Sequence, residues 1–171
     1  MQLRAILPLM LALACAPARG QGAADDMRKG SESLAAGLWE IAAFHYERSL
    51  QDSKLETEQS ARAAIGLAEA WIRAGKAAEA LDLLEQSVAR KHPEQPFWKG
   101  QALAASGRIA DAIAQLAPLL EKPDAAHRFE TAASLANLQL AIGQTNAALA
   151  TLAGMQNFAD PSQAPDLLLR E

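Results

Sequence analysis

The strongest constraint on the fold is a sequence pattern that occurs four times along the chain. Each copy has a glycine at its second position, and these glycines lie 38, 32 and 36 residues apart. The copies span residues 36–50, 74–88, 106–120 and 142–156, with their glycines at Gly37, Gly75, Gly107 and Gly143. A period of this length is typical of an array of small units, each of which buries its apolar face against its neighbours.

Three further positions are shared by all four copies. An alanine follows each glycine by five residues, a large residue follows it by nine, and a small residue precedes it by seven. The alanines are Ala42, Ala80, Ala112 and Ala148; the large residues are Tyr46, Leu84, Leu116 and Leu152; the small residues are Gly30, Ala68, Gly100 and Ala136. Glycine after a helical run adopts the left-handed conformation that ends a helix at low steric cost. The pattern therefore predicts a helix, a glycine turn and a second helix that approaches the first closely at the small residues.

The composition favours helices over strands. Half of the residues are hydrophobic, but only 5% are aromatic. Ala and Leu, which supply most of the hydrophobic residues, are strong helix formers, whereas the residues that favour strands are scarce. Apolar residues after each glycine recur at spacings of three and four, as in Leu81, Leu84 and Val88, which places them on one helix face. We expect an all-α protein.

The repeated pattern resembles the tetratricopeptide repeat, a helix–turn–helix unit, over residues 23 to 157. The four shared positions match in all copies. The large residue four before the turn glycine is present as Trp71 and Leu103, but Ser33 and Gln139 replace it in the first and fourth copies. The resemblance implies a right-handed α–α superhelix of about four repeats, in which the first helix of each repeat lines a concave groove.

The segments between the copies divide the chain. Ser53 to Glu56 fits a capping box, Pro96 predicts the start of a helix, and Pro118 predicts a kink or an early helix end. The expected divisions are a cleaved signal peptide (1–18), a short linker (19–22), four repeats (23–56, 57–92, 93–124 and 125–157), and an irregular tail or the start of a capping or further helix (158–171).

The first residues have the pattern of a secretory signal. Arg4 precedes an apolar run, and Ala16-Pro17-Ala18 fits the small-x-small cleavage site. The only cysteine, Cys15, lies in this segment and is either removed with it or lipidated as the new N-terminus. The preceding residues only partly resemble a lipobox. We expect an exported protein, periplasmic or extracellular in a bacterial envelope, with a membrane tether only if Cys15 is lipidated.

The sequence lacks the features that identify several functional classes of protein. The net charge is −4, and no basic stripe with interleaved aromatics supports nucleic-acid binding. The three histidines show no metal-ligand spacing, and Gly-x-Ser-x-Gly and phosphate-binding loops are absent from the sequence. We therefore expect a protein that is not an enzyme, with no cofactor, no metal and no small-molecule substrate.

The individual polar residues have simple structural interpretations. His45 is expected on the surface of a second helix with no group nearby that would make it a catalyst. His92 and His127 are expected in solvated connectors. Asp25 and Asp26 are expected at the start of a helix, where the helix dipole favours carboxylates.

The resemblance also implies which residues meet a partner, because the first helices line the groove. The implied contacts are Arg28, Arg62, Ile65, Glu69, Arg73, Phe97, Trp98, Gln101 and Asn137. For the aromatic pair Phe97-Trp98, two interpretations stay open. Either one ring packs on the preceding repeat while the other covers a seam between repeats, or one is exposed in the groove as a peptide anchor.

The resulting functional hypothesis is a scaffold or assembly factor that binds a protein or peptide in its groove. The alternative is a structural or self-associating module, the N-terminal part of a longer repeat protein. Leu167 to Leu169 would then serve as the joint, or would cover the open end of the last repeat. The identity of the partner, the biological process and the oligomeric state are beyond the sequence.

Overall fold

A computed structural model describes residues 21–122 and 127–155. In these two ranges the chain forms nine helices and no strand, which confirms the all-α prediction. The helices are α1 (Gln21–Ala35), α2 (Trp39–Leu50), α3 (Thr57–Arg73), α4 (Ala77–Leu84), α5 (Ser87–Arg90), α6 (Gln95–Ala105), α7 (Ile109–Leu120), α8 (Arg128–Ala141) and α9 (Thr145–Met155).

Consecutive helices pack as pairs. The pairs are α1 with α2, α3 with α4, α6 with α7, and α8 with α9, and the second helix of each pair contacts the first helix of the next. The first helices of successive pairs also touch, α1 with α3, α3 with α6, and α6 with α8. The four predicted helix pairs therefore lie in chain order, each against its neighbours.

Each pair is joined by one of the four predicted turn glycines. Gly37, Gly75, Gly107 and Gly143 have φ between 74° and 79°. The Gly37 N–H donates to the Leu34 carbonyl at 3.0 Å, and the Leu38 N–H donates to the Ser33 carbonyl at 2.9 Å. The other three turns repeat these two bonds, which is the Schellman arrangement that satisfies the last carbonyls of a helix.

The alanine and small-residue positions allow the close approach predicted from the pattern. The four shared alanines have no exposed surface. A Cβ added to Gly30 would lie 3.0 Å from the Tyr46 ring, and one added to Gly100 would lie 2.4 Å from Leu116 Cδ2. Gly66 of α3, which the pattern did not single out, also faces the Tyr46 ring, and a Cβ added there would lie 2.4 Å from it. The Tyr46 ring therefore fills a slot between two glycines on different helices.

The last described helix differs from its counterparts. Tyr46, Leu84 and Leu116 are at most 6% exposed, but Leu152 at the same repeat position is 42% exposed and Leu149 is 59% exposed. In the described part of the chain no further helix packs on this side of α9. The predictions for the signal peptide, Cys15 and the tail at 158–171 fall outside the described residues.

Three local expectations about helix ends have mixed outcomes. α6 begins at Gln95 with Pro96 in its first turn, as predicted. The prediction of a capping box over Ser53 to Glu56 is wrong. The helix α3 begins only at Thr57, and the preceding residue, Glu56, makes no side-chain hydrogen bond that caps it. α7 continues to Leu120, so it does not end early at Pro118.

The second helix of the second repeat is interrupted, although its apolar run predicts continuity to Val88. Gln86 has an extended backbone, with φ −70° and ψ 153°. The helix is therefore split into α4 and the short α5, which packs against α3.

Candidate functional site

The first helices of the third and fourth repeats meet in a cluster of aromatic and charged side chains. Glu94 precedes α6, and His127 precedes α8 with a left-handed backbone, φ 60°. His127 Nε2 lies 3.1 Å from Glu94 Oε2, and the Trp98 indole N–H donates to the same oxygen at 3.3 Å. The His127 ring stacks on Phe97 at a centroid distance of 4.5 Å. One carboxylate therefore joins the starts of two neighbouring first helices.

A second carboxylate extends this cluster to α3. Glu69 accepts a hydrogen bond from the Arg73 guanidinium at 2.9 Å. Burial raises the pKa of Glu69, and the positive charge of Arg73 only partly counteracts this effect. The charges of His127 and Glu94 also act on Glu69, so the three groups share one electrostatic environment.

The protonation of Glu94 is set by its partners. Burial acts to raise the pKa of this carboxyl, but the hydrogen bonds from His127 and Trp98, together with the charges of His127 and His92, outweigh burial and hold it below its ordinary value. Glu94 therefore remains a carboxylate that accepts two hydrogen bonds, which fixes both the imidazole and the indole.

A further polar contact connects the same two helices. The Gln101 side-chain amide donates to Ser134 Oγ at 2.8 Å. Gln101 and Ser134 are 33 residues apart, as are Glu94 and His127. Both contacts therefore join residues that lie at the same distance from the starts of α6 and α8.

The structure places most of the predicted partner-contact residues at the surface. Arg28, Arg62, Arg73 and Asn137 are exposed, and Glu69 and Gln101 are partly exposed. The arginines pair with carboxylates of their own helices, for example Arg62 with Glu58 at 3.2 Å. The Arg73 guanidinium also lies 5.1 Å from the centre of the Trp39 ring. This arginine is therefore held on two sides, while 46% of its side chain is exposed.

Three of the predicted contact residues are in the core instead. Ile65 is 4% exposed, and Phe97 and Trp98 are each 6% exposed. The interpretation that one of these two rings is exposed in the groove as a peptide anchor is therefore wrong. Phe97 and Trp98 are both buried because α6 packs against four helices, namely α3, α4, α7 and α8.

The expectation that His45 lacks a neighbour is also wrong. His45 Nδ1 lies 2.9 Å from Asp26 Oδ1, and Arg48 reaches the other oxygen of this carboxylate at 3.4 Å. The Asp26 side chain is only 7% exposed. It does not lie at a helix start, since α1 begins at Gln21. No local spacing points to this contact, because its members lie on two helices and 19 residues apart.

Two other polar expectations need correction. His127 is not a solvated connector residue, because it stacks on Phe97 and pairs with Glu94. His92 is half-buried, and its Nδ1 accepts the Glu94 backbone N–H at 3.3 Å. Both histidines organise the start of a first helix.

The His45–Asp26 pair has the geometry that orients a general base in many enzymes. Within residues 21–122 and 127–155, no serine, threonine or cysteine side chain hydrogen-bonds this ring, and Phe44 packs against it edge-on at 5.4 Å. The pair joins α1 to α2.

Metal binding and membrane insertion also find no support in the described residues. They contain no group of three or more His, Cys, Asp or Glu residues placed to hold a metal ion. Among the described helices, none combines the length and the apolar character needed to span a bilayer.

Comparison with protein-family models, with curated proteins and with solved structures finds no match. The function is therefore inferred from the described contacts and the sequence pattern.

Proposed function

We propose that the protein is a non-enzymatic scaffold or assembly factor that binds a protein or peptide partner across the first helices of its repeats. The proposed architecture is a right-handed superhelix of the tetratricopeptide type with about four repeats. Support comes from the four glycine turns with φ between 74° and 79° and from the contacts between successive first helices. Stacked helix pairs of this kind present a continuous extended surface.

The observation that carries the proposal is the row of polar contacts between α6 and α8. Glu94 with His127, at the starts of the two helices, and Gln101 with Ser134, further along them, join these two first helices at two points. Exposed groups such as Arg73 and Asn137 belong to the same set of helices. A rigid surface with polar groups at fixed intervals suits an extended partner, since preorganisation lowers the entropic cost of binding.

The test compares two arginines in similar settings. Arg73 on α3 pairs with Glu69 at 2.9 Å, and Arg108 before α7 pairs with Asp111 at 2.7 Å, each with about half of its side chain exposed. Arg73→Gln and Asn137→Asp should abolish or strongly reduce capture of the partner from an envelope extract, quantified against the wild type. Arg108→Gln should retain it. Equal retention by all three variants, with unchanged circular dichroism, would exclude this surface.

Export is part of the proposal and rests on the sequence of residues 1–18. The intact mass of the protein recovered from expressing cells distinguishes the outcomes. A mature protein beginning after Ala18 supports a cleaved signal, and a diacylated protein beginning at Cys15 supports a tether. An uncleaved protein argues against export.

A self-associating module is the second candidate, because two apolar surfaces are uncovered. Leu149 and Leu152 are exposed on α9, and Leu38, Ile41 and Phe44 are 48–53% exposed at the start of α2 and its preceding turn. Charged residues occupy the equivalent positions in the second repeat, namely Lys76, Glu79 and Asp82. Mass by light scattering at rising concentration tests this candidate, and a monomer at all concentrations removes it.

A further inference from the structure

A cavity of about 510 Å³ lies beside the start of α3, where α5 and the connection to α6 pack against it. It is lined by Thr57, Glu58, Ala61, Val88, Lys91, His92 and Pro93. Its volume falls within the range of about 300–1,000 Å³ that is common for small-molecule sites. Its lining contains none of the residues predicted to contact a partner, although it includes part of the first helix α3 and Glu58, which pairs with Arg62.

The lining combines an apolar wall with cationic and donor groups. Ala61 is buried, and Val88 and Pro93 supply further aliphatic surface. Lys91 is exposed and forms no ion pair within the described ranges. The opposite charge at the cavity, Glu58, is already paired with Arg62 at 3.2 Å. The uncompensated charge at this cavity is therefore positive.

His92 adds a hydrogen-bond donor. Its Nδ1 accepts the backbone N–H of Glu94 at 3.3 Å. A neutral imidazole that accepts at one nitrogen carries its proton on the other, so Nε2 is left as a donor. Lys91 Nζ and His92 Nε2 are thus available to an anion at the cavity, and the hydroxyl of Thr57 is a further donor in the lining.

We propose that this cavity binds a small apolar carboxylate. The alkyl part of the ligand lies along Ala61, Val88 and Pro93, and the carboxylate is held by Lys91 and His92. The ligand is either a free medium-length fatty acid or the C-terminus of a peptide that ends in an apolar residue, since both present the same groups. This site goes beyond the proposed function and departs from the expectation of no small-molecule ligand.

Titration of the full-length ¹⁵N-labelled protein with octanoate tests the proposal by amide chemical shifts. Saturable shifts should concentrate at Thr57, Ala61 and Val88. Octanol lacks the charge and acetate lacks the alkyl tail, so each should bind at least about tenfold more weakly. Lys91→Gln should weaken the binding of octanoate by about tenfold. The control substitution Lys122→Gln, at another exposed lysine, should leave the affinity for octanoate within about twofold of the wild type.

A second arm separates the two sources of the carboxylate. An acetylated Ala-Ala-Leu peptide with a free C-terminus is compared with its C-terminal amide and with octanoate. Tighter binding of the free peptide than of octanoate assigns the site to a peptide terminus, and the reverse order assigns it to a free acid. The proposal is overturned if neither acid gives saturable shifts at these residues, or if Lys91→Gln binds octanoate as the wild type does.

Discussion

Leu116 and Leu152 occupy the same position in the third and fourth repeats, so truncating each measures how much stability the neighbouring elements supply. Leu116 has no exposed surface and packs against Gly100, whereas 42% of Leu152 is exposed. We expect Leu116→Ala to lower the free energy of unfolding by about 3 kcal/mol, since it removes buried methyl groups and leaves a cavity. Leu152→Ala should cost about 1 kcal/mol, because just over half of a burial worth about 2 kcal/mol is lost.

Urea unfolding of the full-length protein, followed by circular dichroism, gives the comparison. The two variants should show the same dependence on urea concentration and differ only in midpoint, with Leu116→Ala the less stable. Equal losses, or a larger loss for Leu152→Ala, would refute the reasoning. Such a result would mean that Leu152 is covered in solution by a group outside the described residues.

Three further predictions follow from close contacts and buried groups. Gly66→Ala should destabilise the protein by about 1–3 kcal/mol, because its Cβ would lie 2.4 Å from the Tyr46 ring, as measured by thermal unfolding. Burial raises the pKa of Tyr46 to about 12, so ultraviolet titration should show this phenol ionising late. The neutral phenol should contribute its full stabilisation below a pH of about 10, and this stabilisation should be lost as the pH rises towards 12. Asp26→Asn should cost about 1–3 kcal/mol in urea unfolding, since it removes the buried negative charge between His45 and Arg48.

Each of these predictions has a control or a contradicting outcome. Gly154 lies on α9 with nothing within 4 Å of an added Cβ, so Gly154→Ala should not destabilise the protein. Equal effects of Gly66→Ala and Gly154→Ala would contradict the close packing of the Tyr46 ring against Gly66. A normal phenol titration near a pH of about 10 would mean that Tyr46 is solvated. Asp25→Asn, at an exposed carboxylate, should cost less than Asp26→Asn, and the reverse order would remove the role given to His45.

The sequence predicted those parts of the fold that depend on one residue type at a fixed position. Glycine adopts the φ of 74–79° found at the four turns far more readily than other residues, and only a small residue permits two helices to approach closely. The turns and the packing positions were therefore visible in the spacing of single residues. The core position of Tyr46 followed from the same spacing.

Contacts between side chains of different helices were not visible in the same way. The Asp26–His45 pair, the second wall of the Tyr46 slot at Gly66, and the stacking of His127 on Phe97 each join different helices. Side chains that meet across helices leave no local spacing in the sequence. For the same reason the exposure of Phe97 and Trp98 could not be decided until the neighbours of α6 were known.

The most direct test of the account is a solution measurement of contacts between the first helices. NOE cross-peaks should join the Phe97 and His127 rings, and the Gln101 side-chain amide with the Ser134 β protons, because the structure places these groups of adjacent repeats in contact. Cross-peaks between the Leu116 methyls and Gly100, within the third repeat, provide the internal reference. If the reference peaks are present and both inter-repeat contacts are missing, the repeats do not stack as described, and the proposed binding face is not formed.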